Sequence, residues 1–109
     1  MQLRYNANMK SDAIIAFIHA QRDLFWFIPD ADLEGISEAV LVETILNYGS
    51  MDAIKTMVRL LGLDTVAKLF ADAVAQQSRR RNNYHELTRN YFLHVFKAYA
   101  PQYFKPAAA

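Results

Sequence analysis

Residues 37–74 read SEAVLVETILNYGSMDAIKTMVRLLGLDTVAKLFADAV, and their apolar positions recur every three or four residues. This spacing places side chains on one face of an α-helix. In the middle of the stretch, the residues with this spacing are Ile54, Met57, Val58 and Leu61. The same register appears before and after, so the stretch predicts three consecutive helices joined by very short turns. Turns this tight force neighbouring helices to pack together, which predicts an all-α bundle.

Serines and glycines mark the ends of these helices. Ser37 and Ser50 precede two of them, and a serine hydroxyl is a good N-cap because it accepts a hydrogen bond from a backbone N–H of the first turn. Gly49 follows the first helix, where a left-handed residue ends a helix at little cost, and Gly62 ends the second. The pattern therefore predicts helix boundaries as well as helix type.

One further helix is predicted on each side of this central stretch. Ser11 would cap a helix over DAIIAFIHAQRDLFWFI, which Pro29 closes; residues 24–29, LFWFIP, are alternatively extended because their aromatics favour strands. A fifth helix is predicted from about Tyr84 to Tyr99, stopped by Pro101.

The prediction is thus a single domain, a compact bundle of about five short helices joined by tight turns. It spans residues 11–104, between a flexible N-terminal arm at residues 1–10 and a disordered end at residues 105–109. The shared register of the apolar positions predicts a buried set, which comprises Ile45, Leu46, Ile54, Met57, Val58, Leu61, Leu69, Phe70 and Val74.

Composition excludes several classes of function. The 109 residues contain no cysteine, which excludes a disulfide framework, a thiolate zinc site and a thiol nucleophile. No apolar run approaches the roughly 18 residues of a membrane span, and the N-terminus lacks a cleavage site for a signal peptide. These features predict a cytoplasmic protein without membrane contact, and nothing in the chain predicts a metal or a cofactor.

Charge is distributed unevenly along the chain. The net charge is +1, but residues 1–49 hold three Lys/Arg against seven Asp/Glu, whereas residues 50–109 hold nine against four. Two interpretations of this asymmetry are open. Either the acidic and basic halves of the chain attract each other across the fold, or one charged face of the protein attracts a charged partner.

The stretch SRRRNNYHELTRNYFLHVF, residues 78–96, raises the question of nucleic-acid binding. Arg79–Arg81 and Arg89 form a basic patch, and Tyr84 and Tyr91 could stack on bases. The two helices that flank LGLD also invite a helix-turn-helix interpretation. The second would expose mainly Lys68, Asp72, Gln76 and Gln77, a face too neutral for a DNA backbone. Few arginines neutralise few phosphates, so the sequence predicts binding that is weak and salt-sensitive at most.

A catalytic alternative lies in the same stretch. RNYFLH, residues 89–94, resembles the R-x4-6-H motif of HEPN-type ribonucleases, in which Arg89 would hold the phosphate and His94 would transfer a proton. Five residues along a straight helix rotate by roughly 140°, so we expect the two side chains not to meet in one pocket. The run HELTR lacks the second histidine of the zinc-protease signature, which excludes that site.

Several motifs together resemble a known family. LFW at 24–26 precedes the acidic loop PDADLEG; VETILNYG at 42–49 and VRLLG at 58–62 each end a helix, and SRRRNNYHELTRNYF follows. This order is similar to that of short bacterial helical proteins often encoded beside AbiEii-like nucleotidyltransferase toxins. The resemblance implies an antitoxin or accessory role, without catalysis.

A docking surface is therefore predicted in the arginine-rich stretch. It comprises Arg79, Arg80, Arg81, Arg89 and the exposed rings of Tyr84, Tyr91 and Phe92. Arginine and aromatic side chains are the usual anchors of interfaces. The partner would be a different protein or a second copy, whose acidic loop Asp30–Glu34 offers the opposite charge. The alternative is that the last helix is simply the central core helix.

Overall fold

The computed structural model describes residues 10–104, which form five α-helices. Their bounds are Asp12–Ala20 (α1), Glu38–Tyr48 (α2), Met51–Leu61 (α3), Leu63–Val74 (α4) and Glu86–Tyr99 (α5). No strand occurs in the described part of the chain. The predicted all-α bundle is confirmed. Residues 1–9 of the predicted arm at 1–10, and the predicted disordered end at 105–109, lie outside the described residues.

Four short 3₁₀ helices connect these elements, at Arg22–Phe25, Asp30–Gly35, Arg81–Asn83 and Pro101–Tyr103. The extended alternative for residues 24–29 is wrong as far as Phe25. The predicted continuation of the first helix to Ile28 is also wrong, because α1 ends at Ala20. There the N–H of Gln21 is shared between the carbonyls of Phe17 and Ile18, which tightens the α-helix into a 3₁₀ turn. The tighter winding carries the Phe25 ring into the core.

The predicted serine caps are present. The hydroxyls of Ser11, Ser37 and Ser50 accept hydrogen bonds of 3.1–3.2 Å from backbone N–H groups three residues on. Each satisfies one of the N–H groups that the first turn of a helix leaves without an intrahelical partner.

The two helix-ending glycines work in different ways. Gly62 has a φ of +92°, a conformation that residues with a side chain rarely adopt. The left-handed prediction for Gly49 is wrong, because its φ is −78°. Glycine is needed there for space: a Cβ at this position would lie 2.7 Å from the carbonyl oxygen of Ile45.

The core is centred on α2 and α4. α2 buries Leu41, Val42 and Ile45, and Phe70 of α4 contacts rings that come from the α5 region. Of the nine residues predicted to be buried, six are: Ile45, Leu46, Ile54, Met57, Phe70 and Val74. Val58, Leu61 and Leu69 are only partly buried, because they lie at the edge of the core.

Candidate protein-docking site

The three consecutive arginines do not form a free basic patch. Arg80 Nη1 lies 3.2 Å from Glu43 Oε1 on α2, and Arg81 Nη1 donates to the carbonyl oxygen of Val74 at the end of α4. Within residues 10–104, only Arg79 of the three makes no side-chain hydrogen bond or ion pair. Two of the three arginines therefore hold their own loop in place. Only Arg80 is neutralised by a carboxylate, whereas Arg81 keeps its charge because a carbonyl oxygen is a neutral acceptor.

Arg89 closes the same loop from the other side. Its Nη1 lies 3.2 Å from the carbonyl oxygen of Arg81 and 3.5 Å from that of Tyr84, at the N-terminal side of α5. Its Nε is buried and has no hydrogen-bond partner among the described residues. Arg89 is partly buried and binds its own loop, and its predicted role in a docking surface stays a prediction.

Two asparagines that sequence reasoning missed complete this network. Asn47 Nδ2 donates to the carbonyl oxygen of Asn83 at 2.9 Å, and Asn47 Oδ1 accepts from the N–H of His85 at 3.1 Å. Asn83 Nδ2 in turn lies 3.2 Å from Glu43 Oε1. The available signal was the spacing of Glu43 and Asn47, which lie one turn apart and therefore on the same face of α2.

The rings of the predicted docking surface separate into two groups. Tyr84 and Phe92 are 2% and 6% exposed, so their predicted exposure is wrong. Both pack against Phe70, with ring centroids 5.2 and 6.3 Å apart, and complete the core. Tyr91 is 52% exposed and remains available for a partner.

Burial of Tyr84 predicts a dependence of stability on alkaline pH. Burial, with a smaller effect from the negative charge of Glu43, raises the pKa of the Tyr84 phenol above its ordinary value of 10.0. The unfolded chain then loses this proton first, so the free energy of unfolding falls as the pH rises above about 10. Urea titrations at pH 9 and pH 11 should show this loss.

Tyr84→Phe is the matched variant, because it keeps the ring and removes the ionisable hydroxyl. It should lose less stability than the wild type between the two pH values. An equal loss in both proteins would contradict the prediction.

The possible ribonuclease residues do not converge. Arg89 is engaged with the loop carbonyls, whereas His94 is exposed and lines a shallow surface cavity with Asn90, Leu93 and Lys97. The arrangement offers no phosphate-binding arginine beside the histidine. Within residues 10–104 there is also no group of three or more His, Asp or Glu side chains placed to hold a metal ion.

A groove between α3 and α5 is the more suitable docking site. It has a volume of about 330 Å³ and is lined by Met51, Ile54, Lys55, Val58, Leu63, Tyr91, Phe92, Val95, Phe96 and Tyr99. The floor is formed by buried core residues, and Met51, Tyr91 and Tyr99 are exposed along its edges. Tyr91 and Phe92 were predicted to bind a partner, and the groove brings both together, one at the rim and one in the floor.

The α3 edge of the groove is basic. Lys55 lines it, and Arg59 is exposed one turn further along the same helix. Neither makes an ion pair within the described residues. An occupant with negative charge along one flank would complement this edge.

The acidic loop is already engaged within its own chain. Asp30 Oδ2 lies 2.5 Å from Arg22 Nη2, and Glu34 Oε2 lies 2.6 Å from His19 Nε2. Lys10 also donates to the Glu34 carbonyl oxygen. Two of the carboxylates that were expected to meet the arginines of a second copy therefore have partners on the N-terminal segment.

Comparisons with known proteins identify no relative of this chain. No protein-family model matches the chain, and no curated protein or solved structure is significantly similar to it. The resemblance to the toxin-associated family stays a prediction. None of the helices in the described range is long and apolar enough to cross a membrane.

Proposed function

We propose that this chain is a non-enzymatic protein-interaction domain, and that the α3–α5 groove holds an apolar helix of a partner protein. The observation that carries the proposal is the groove itself, with its apolar floor and the exposed Met51, Tyr91 and Tyr99. Tyrosine and methionine are enriched where proteins meet, and an apolar channel between two helices suits the stripe of a third.

The charge at the edge of the groove indicates what kind of helix would bind there. Lys55 and Arg59 present positive charge along α3, so the partner helix should carry Asp or Glu beside its apolar stripe. The chain's own Asp30 and Glu34 are already paired, which favours a different protein over a second copy as the source of that charge.

The motif order from LFW to SRRRNNYHELTRNYF supports a particular partner. Because this order resembles proteins encoded beside nucleotidyltransferase-type toxins, we propose that such a toxin supplies the helix and that the chain is its antitoxin or accessory subunit. The cytoplasm is then the expected location.

The test is co-purification with the product of the neighbouring gene, followed by titration calorimetry. Tyr91→Ser and Tyr99→Ser should each weaken binding by about 2 kcal/mol, which is roughly 30-fold, because each removes an aromatic anchor at the groove edge. Both rings are exposed in the free chain, so the substitutions should leave its stability unchanged. Lys55→Glu should also weaken binding, and more strongly at low salt than at high salt.

Leu87→Ser is the matched control. Leu87 is on α5 and 84% exposed, but it does not line the groove. Equal losses from Leu87→Ser and Tyr91→Ser would place the interface elsewhere. A homodimer that Tyr91→Ser dissociates, seen by light scattering, would instead make a second copy the occupant and overturn the proposal of a different protein.

A further inference from the structure

A second exposed aromatic surface lies away from the α3–α5 groove. Trp26, the only tryptophan of the chain, is 77% exposed, and Phe27 and Tyr48 beside it are about half exposed. The three rings line a cavity of about 240 Å³ together with polar side chains that include Glu43 and Asn83. Exposed tryptophan is costly to keep in water and is the residue most enriched at binding hot spots.

The rings are held in defined orientations. Trp26 and Phe27 meet edge to face, with centroids 5.4 Å apart and an interplanar angle of 79°. Tyr48 is held by His85 in the same manner, at 5.1 Å and 81°. The orientations of these three rings are therefore set by their neighbours. The face of an aromatic ring attracts a cation, so a cavity lined by several rings is a candidate cation site.

The carboxylate of the cavity has one oxygen without a hydrogen-bond partner. Glu43 Oε1 accepts from Arg80 and Asn83, whereas Glu43 Oε2 accepts no hydrogen bond from residues 10–104. The amides of Asn47 and Asn83 each donate one hydrogen bond and keep a second N–H. A carboxylate oxygen forms its strongest hydrogen bonds with a positively charged donor, so Glu43 Oε2 is the group of this cavity that would select a cation.

The sequence around the cavity is also negatively charged. Between Asp23 and Asp52 the chain contains acidic residues and no Lys or Arg. Arg80 does not line the cavity, but it pairs with Glu43 Oε1 and offsets part of the negative charge of this carboxylate. Aromatic faces with a carboxylate beside them are how proteins recognise ammonium and guanidinium groups.

We propose that this cavity binds an organic cation, supplied by the side chain of a lysine or arginine in a partner peptide. The ring faces of Trp26, Phe27 and Tyr48 would surround the charged group, and Glu43 Oε2 would accept its hydrogen bond. The site is separate from the α3–α5 groove, and it does not depend on the partner proposed for that groove.

Trp26 provides the measurement, because its fluorescence reports on this cavity alone. The probes are N-acetyl-lysine methylamide, N-acetyl-arginine methylamide and choline. Their neutral isosteres are N-acetyl-norleucine methylamide and 3,3-dimethylbutan-1-ol. We expect a saturable change in emission with the cationic amino-acid derivatives at Kd values on the order of millimolar, and at least about tenfold weaker binding of the neutral compounds.

Variants identify the groups responsible. Glu43→Gln keeps an acceptor for Arg80 and Asn83 but removes the charge, and Tyr48→Leu removes one aromatic face. Each should weaken binding of the lysine derivative by roughly 3–10-fold. Because Glu43→Gln also loses the ion pair with Arg80, its binding is measured at a temperature at which circular dichroism shows the variant fully folded. Tyr99→Ser, in the groove, should bind the probe like the wild type, which separates this site from the proposed docking function.

Two outcomes would overturn the inference. Equal responses to cationic and neutral isosteres, or a response that does not saturate, would show an apolar patch without cation recognition. Tighter binding of choline than of both amino-acid derivatives would keep the cation but exclude a peptide side chain as its source.

Discussion

Phe70→Ala should destabilise the domain by about 3–5 kcal/mol, which is a large fraction of the roughly 5–15 kcal/mol of stability that is usual for a domain of this size. Phe70 is fully buried, and its ring is surrounded by those of Tyr84, Phe92, Phe96 and Phe104, at centroid distances of 5.2 to 6.3 Å. Alanine would leave a cavity bounded by large rings, which cannot collapse without moving α5 away from α4.

Urea unfolding followed by circular dichroism measures this effect. The midpoint should fall steeply, and the thermal midpoint should drop by more than about 12 °C, at roughly 4 °C or more for each kcal/mol. Leu87→Ala is the control, since Leu87 is almost fully exposed and its loss should change stability by less than about 0.5 kcal/mol. A Phe70→Ala variant within 1 kcal/mol of the wild type would contradict the aromatic core described above.

Arg89→Ala is expected to cost about 1.5–3 kcal/mol, the range for hydrogen bonds made by a charged donor. The guanidinium donates to the carbonyl oxygens of Arg81 and Tyr84, and the substitution removes the charged donor from both. Arg89 is also partly buried, so truncation to alanine removes buried side-chain area as well.

A matched pair of variants tests whether Arg89 stabilises the loop or is only a surface residue. Arg79→Ala alters the same type of residue in the same stretch, but Arg79 is exposed and has no polar partner within the described residues, so stability should not change. Arg89→Lys should recover only part of the loss, because a single ammonium group does not reproduce the planar fork of donors. Hydrogen exchange should accelerate at residues 81–85 in Arg89→Ala. If Arg79→Ala and Arg89→Ala were equally stable, the loop network would not contribute as described.

The candidate site was only partly predictable. Tyr91 and Phe92 were identified from the aromatic richness of the last helix, and both line the groove. The α3 edge with Met51 and Lys55 was missed, because a helical register predicts which residues share a face but not whether a neighbouring helix covers that face completely. Lys55 gives no signal in the sequence until α5 lies beside it.

The arginines show more clearly that sequence alone does not predict which side chains remain unpaired. A run of three arginines after a helix is typical of an exposed patch, yet Arg80, Arg81 and Arg89 are all bonded within the chain. Arg80 binds the carboxylate of Glu43, which is distant in sequence, and Arg81 and Arg89 bind backbone carbonyl oxygens, which every residue has. Only the folded loop brings these acceptors within hydrogen-bonding distance.

The sequence by itself determined the helices, most of their ends and much of the core. Helix type follows from periodicity, serine caps bond within three residues, and Gly62 terminates α3 through its own backbone conformation. All of these are local interactions. Only the tertiary structure decided which aromatic rings are core and which are surface, and which charges remain for a partner, because burial and pairing depend on residues that approach each other from distant parts of the chain.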